Sequence, residues 1–185
     1  VVHGEDDYLR DRAVEQIKSS LDVQFPELNV SVLSNAVIDD VVNSCIVLPF
    51  MSGTRFVVVK NYSAPEGHEQ KEREKFLSYA KNPLNSTVLI FSVNKLSSVL
   101  NDVASVDYVE CNKLDRNSIE KWIIAYCRKC KKNISPYNAR LIAEYCLDDM
   151  TRINTEVQKI CFYSDEEITK DDVDLMIEKD SDIKL

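Results

Sequence analysis

Glycine is scarce, with only Gly4, Gly53 and Gly67 in 185 residues, where about 7% is usual. Phosphate cradles need clustered glycines so that backbone N–H groups can approach the anion. Neither GxxxxGK[ST] nor GxGxxG occurs, which argues against both common kinds of nucleotide enzyme. Histidine is scarcer still, with only His3 and His68. A Cys–His nucleophile therefore has few partners, and no serine sits in GxSxG. No apolar run approaches the roughly 18 residues of a membrane span; the longest include Phe56–Val59 and Val88–Phe91. The opening VVHGEDDYLRDR is charged by its fifth residue, so no secretory signal is expected there.

What remains is the make-up of a globular protein: 44% hydrophobic, 29% charged and 8% aromatic residues, enough for one large domain or two small ones. The net charge of −8 is uneven. Residues 1–111 carry −6, residues 112–133 carry +5 and residues 134–185 carry −7. An acidic whole disfavours tight non-specific nucleic-acid binding, while the basic stretch leaves a weak, directional contact open. Cysteines at 45, 111, 127, 130, 146 and 161 are expected to be reduced and intracellular. Cys127 and Cys130 have zinc-site spacing, but no second ligand pair matches it; two residues on one helical face is the plainer reading. The clusters Glu5-Asp6-Asp7 and Asp165-Glu166-Glu167 read as helix starts before they read as cation sites.

The first half alternates strand-like and helical segments. Val1–His3, Asn29–Leu33, Arg55–Lys60, Ser86–Val93 and Val106–Cys111 read as strands, and 11–21, 38–46 and 71–81 as helices. Continuous apolar strands separated by helices predict a parallel sheet covered on both faces. The second half carries no strand signal and four helices. Asp115 caps the first, running to Lys132 with Ile119, Trp122, Ile123 and Tyr126 inward. Ser135-Pro136 opens the second, Asp148 or Asp149 the third, and Thr169 with Asp172 the fourth, ending near Lys179. The boundary between an α/β domain, 1–111, and a small all-helical domain, 112–185, falls at residues 111–114.

Two stretches carry candidate chemistry. In IVLPFMSGTR, residues 46–55, a helical stripe runs into Leu48, Pro49, Phe50 and Met51. Proline stops the helix, and the apolar residues beyond it are either core or an exposed anchor for a partner's pocket. The basic run Arg128, Lys129, Lys131 and Lys132, with Lys121 upstream, closes a helix. Cations favour a helix C-terminus; contact with nucleic-acid phosphates is the sharper alternative.

The order of motifs resembles the delta subunit of bacterial DNA polymerase III, a component of the sliding-clamp loader. Gly4-Glu5 with Tyr8-Leu9, then Leu48–Met51 followed by Arg55–Val59 and Asn61, then Asn82-Pro83 and Thr87–Phe91 carry the resemblance through the first half. Trp122-Ile123, Ala139, Leu141, Ile142, Asn154–Glu156, Lys159, Tyr163 and Ile168–Val173 carry it through the second. The resemblance implies an AAA+-like parallel-sheet domain lacking a working phosphate loop, followed by a helical lid. It implies a non-catalytic protein without cofactor or metal that binds and opens the sliding clamp in the cytoplasm. Leu48, Pro49, Phe50 and Met51 would be the clamp-binding element, with Met51 where the family has a second phenylalanine. Its partners would be the clamp, other loader subunits and, weakly, primed DNA, with no membrane. A helical collar domain typical of the family is missing from these residues, as in a fragment. Two rival readings are a divergent nucleotide enzyme whose loop follows His3-Gly4, tested by ATP titration, and a cysteine-dependent zinc adaptor, tested by metal analysis.

Overall fold

A computed structural model describes residues 1–101, 103–104 and 106–178. The chain divides into two compact units, Val1–Asn112 and Lys113–Leu185.

The first unit is built on five parallel strands, β1 (Val2–His3), β2 (Val30–Ser34), β3 (Arg55–Lys60), β4 (Thr87–Val93) and β5 (Val109–Glu110), in the order β2-β3-β4-β1-β5. The longest register runs from Arg55 opposite Thr87 to Lys60 opposite Ser92. Side chains along β3 alternate between two cores. Val57 and Val59 pack with Ile38, Phe76, Phe91 and Val93. Phe56 and Val58 pack with Val2, Val14 and Ile90. Burial on both faces is why the centre of β3, Phe56–Val59, is apolar throughout instead of alternating with polar residues.

Four helices accompany the sheet: α1 (Asp7–Ser20), α2 (Pro26–Asn29), α3 (Ile38–Cys45) and α4 (Glu69–Ala80). The first starts four residues before its expected onset, because Asp6 accepts a hydrogen bond from the Leu9 amide at 2.9 Å and caps it. Helix α3 has no cap from its own N-cap residue, Val37. The buried Glu72 carboxylate of α4 accepts from the Ile38 amide at 2.7 Å and serves instead. The strand expected over Val106–Cys111 is only the two residues of β5.

The second unit contains α5 (Arg116–Lys129), α6 (Pro136–Tyr145), α7 (Met150–Tyr163) and α8 (Lys170–Met176). Asp115, Ser135, Asp149 and Thr169 cap them, each side chain accepting from the amide three residues on. Ile119, Ile123, Ile142, Ile153, Val157 and Ile160 are almost fully buried and form its core. The sequence reading is corrected on two points. This unit does contain strands: β6 (Asn133–Ile134) and β7 (Glu167–Ile168) pair in parallel. Two residues are too few for a period-2 pattern. In α5 the buried stripe is Ile119, Ile123 and Cys127, while Trp122 and Tyr126 are half-buried and stack on each other with centroids 5.2 Å apart. Lys179, the expected end of the last helix, lies outside the described residues; α8 ends at Met176.

Candidate functional site

In an open parallel sheet, ligands bind beyond the carboxyl ends of the strands, where strand order reverses. Here the turn leaving β1 is Gly4–Asp6 only, between His3 and Asp7. Two of its three amides are spent on protein. The Gly4 N–H donates to the Val93 carbonyl at 3.2 Å and the Asp6 N–H to the Cys111 carbonyl at 3.0 Å. The buried Arg10 guanidinium donates to the Gly4 carbonyl and pairs with Asp7. A cradle for phosphate needs amides that point at the anion; these point into the protein.

The apolar stretch after α3 is exposed. Leu48 is 71%, Phe50 55% and Met51 72% accessible, while Pro49 is half-buried. Its base is held by two buried polar side chains. Asn29, fully buried, accepts from the Phe50 amide through Oδ1 at 2.7 Å. Its Nδ2 donates to the Phe50 carbonyl at 2.8 Å and to the Gln24 carbonyl at 2.7 Å. Arg55, at the start of β3, donates to the Ser44 carbonyl at 2.8 Å, the Leu28 carbonyl at 3.2 Å and the Ser31 hydroxyl at 2.8 Å. The Ser52 hydroxyl accepts from the Gln24 amide at 3.2 Å. Met51 has φ +46°, a left-handed conformation that a non-glycine residue keeps only when its surroundings impose it. Beneath the loop, burial pushes the Cys45 thiol up to about 11, against the opposing effects of a Tyr79 hydrogen bond and the Arg55 charge. The result is a stiff apolar tip of four consecutive residues. By composition and spacing alone Leu48–Met51 are either core or anchor, and Asn29 carries no signal, because its position at a strand start is that of an ordinary boundary. Phe25 carries only the signal of a lone aromatic before a proline.

The basic residues lie in the second unit. Lys121, Arg128, Lys129 and Lys131 are exposed. Lys121 and Arg128, two helical turns apart, share a face of α5, and Lys129 sits about 80° further round. Lys132 differs: it is half-buried and its ammonium donates to the Ser164 carbonyl at 2.6 Å. The two cysteines of the CxxC also part company. Cys127 is buried and Cys130 exposed. The Cys161 thiol of α7 donates to Cys127 Sγ at 3.7 Å, holding the Cys127 thiol low. Among the described residues, no group of three or more His, Cys, Asp or Glu side chains is placed to hold a metal ion. No helix among them is long and apolar enough to cross a membrane.

A five-stranded parallel sheet of this order, followed by a helical unit, defines an AAA+-like fold, and here the turn after β1 bonds the Gly4 and Asp6 amides within its own chain. Residues 1–118 match the family described as "DNA polymerase III, delta subunit", and the chain belongs to that family. It is 26% identical to the DNA polymerase III subunit delta of Bacillus subtilis over 194 residues, covering 95% of this chain and 55% of that protein. Its fold is similar to that of a Bacillus subtilis DNA clamp loader delta protein, with TM-score 0.69 and 21% identity over 96% of this chain and 57% of the other. It is also similar to the Thermotoga maritima RuvB Holliday junction branch migration motor, with TM-score 0.59 and 12% identity over 95% and 59% of the two chains. The chain thus spans little more than half the length of these relatives.

Proposed function

We propose that this chain is the clamp-contacting portion of a non-catalytic clamp-loader subunit, acting in the cytoplasm during DNA replication. Leu48, Phe50 and Met51 dock into an apolar pocket of the sliding clamp and help open the ring, with Pro49 setting the turn. One observation carries this reading: three large apolar side chains stand in solvent on a loop whose backbone is fixed from below by Asn29. Exposed apolar groups cost nothing to desolvate when a partner covers them, and a fixed loop loses little further entropy on binding. ATP hydrolysis belongs to other loader subunits, because the β1 turn of this chain spends its Gly4 and Asp6 amides internally. Lys121, Arg128, Lys129, Lys131 and Lys132 provide at most a weak contact to primed DNA, supplemented in the assembled loader by further surfaces.

The test is the affinity of a purified sliding clamp for the chain and for its Phe50→Ala variant, with melting curves for both. Loss of an aromatic anchor is expected to cost about 2 kcal/mol or more, roughly a thirtyfold weakening. The melting temperature should stay close to wild type. A variant that melts far lower would make Phe50 a packing residue, and an unchanged affinity would remove the loop from the interface.

A further inference from the structure

Phe25 comes from a different loop and stands beside Phe50. The two rings meet edge to face with centroids 6.5 Å apart. Both are exposed, Phe25 at 43% and Phe50 at 55%. Phe25 is also held in the left-handed region, at φ +49° and ψ +64°, where a side chain other than glycine or asparagine pays for its Cβ. Its position is imposed from below. Its carbonyl accepts from the Leu28 amide at 2.9 Å and the Asn29 amide at 3.1 Å. The Asn29 side chain then joins the Gln24 carbonyl on this loop to both backbone polar groups of Phe50 on the other. A buried amide with three good hydrogen bonds is a rigid link, because breaking any one strands a polar group away from water.

We propose that the docking surface is a composite of the two loops, with Phe25 as a second aromatic anchor and Asn29 as the positioning residue that sets the spacing between the rings. This rests on the clamp-binding reading, and the occupant is the same sliding clamp. A pocket closing over Phe50 also desolvates the ring next to it, since 6.5 Å leaves no room for clamp backbone between them. Edge-to-face pairing presents one continuous apolar ridge, so the matching clamp pocket is wide enough for two rings and lined by aliphatic or aromatic side chains.

The experiment measures binding of a purified bacterial sliding clamp to the whole chain by calorimetry, for Phe25→Ala, Phe25→Asn, Phe50→Ala and Phe25→Ala/Phe50→Ala. The asparagine variant keeps a residue that tolerates the left-handed conformation, so it removes the ring without adding backbone strain. Both single changes at Phe25 are expected to weaken binding about tenfold. The double change should lose less than the product of the single losses, because the rings touch. In an Asn29→Ala background that coupling should disappear, an outcome that simple destabilisation would not produce. If both Phe25 variants bind like wild type while Phe50→Ala loses affinity, the composite surface is wrong and the clamp reading stands. If Phe50→Ala also binds like wild type, the clamp reading itself falls. Persistence of the coupling without Asn29 would remove its positioning role.

Discussion

Gly4 packs so closely on Cys111 that a Cβ placed on Gly4 would lie 2.3 Å from the Cys111 carbonyl carbon. Its φ of +139° is open to glycine and strained for other residues. Two backbone hydrogen bonds frame the approach, from the Cys111 amide to the His3 carbonyl at 2.6 Å and from the Asp6 amide to the Cys111 carbonyl at 3.0 Å. The absence of a side chain at Gly4 thus lets the β1 turn lie directly against the backbone at the end of β5.

Gly4→Ala should therefore be among the most damaging single-methyl changes in the first unit. Positive φ and a backbone clash together predict a loss on the order of 3 kcal/mol in denaturant unfolding. Stability within error of wild type would show that the corner yields. The same geometry predicts no calorimetric binding of ATP–Mg at micromolar affinity by the wild-type chain; a clear heat of binding would contradict the internally bonded turn.

Met51, at φ +46°, separates backbone cost from side-chain contact. At an ordinary position glycine is less stable than alanine. Here glycine relieves the left-handed strain that alanine retains, so Met51→Gly should be more stable than Met51→Ala by up to about 1 kcal/mol. Both should weaken clamp binding to a similar extent. A glycine variant less stable than the alanine one would mean that the strain is absent in solution.

Lys129 and Lys132 belong to the same basic run but play different parts. Lys129 is exposed, whereas the Lys132 ammonium donates to the Ser164 carbonyl. If Lys129 neutralises a phosphate, Lys129→Glu should flatten the log–log salt dependence of binding to primed duplex DNA by about 0.9 or more, without lowering the melting temperature. Lys132→Glu should lower both. DNA binding unchanged by the Lys129 reversal would leave the patch as a solvated helix end.

Alkaline pH should weaken both units. Burial pushes the Cys45 thiol in the first unit and the Cys146 thiol in the second from an ordinary 9.0 up to about 11. The folded state keeps these thiols protonated while the unfolded chain ionises first. Their stabilisation is complete below pH 9.0 and is lost as pH rises through about 11. Denaturant unfolding compared at about pH 8 and about pH 10.5 reads this decline. Cys45→Ala with Cys146→Ala should make it shallower, and an equal decline in the double variant would place its origin elsewhere.

Strands β3 and β4 were legible because each has a continuous apolar run of four residues, Phe56–Val59 and Val88–Phe91. The helix starts at Asp115, Ser135-Pro136 and Thr169 were legible because a cap is a contact between residues three apart. Short-range patterns of this kind survive in a linear sequence. The two-residue strands β6 and β7 were not, since their pairing joins residues 34 positions apart without any periodic signature. The fate of Leu48–Met51 was of the same kind. Apolar residues after a proline pack inward or stand outward according to what holds the turn. Here the holders are Asn29, 21 residues from Phe50, and Arg55, whose guanidinium reaches Leu28 27 residues back. Glycine poverty already argued against a phosphate loop, but the bonding of the Gly4 and Asp6 amides within the chain is set only by the tertiary structure. Composition and periodicity report what a residue prefers on average. Exposure of a named side chain is set by hydrogen bonds between distant segments, and these exist only once the sheet has formed.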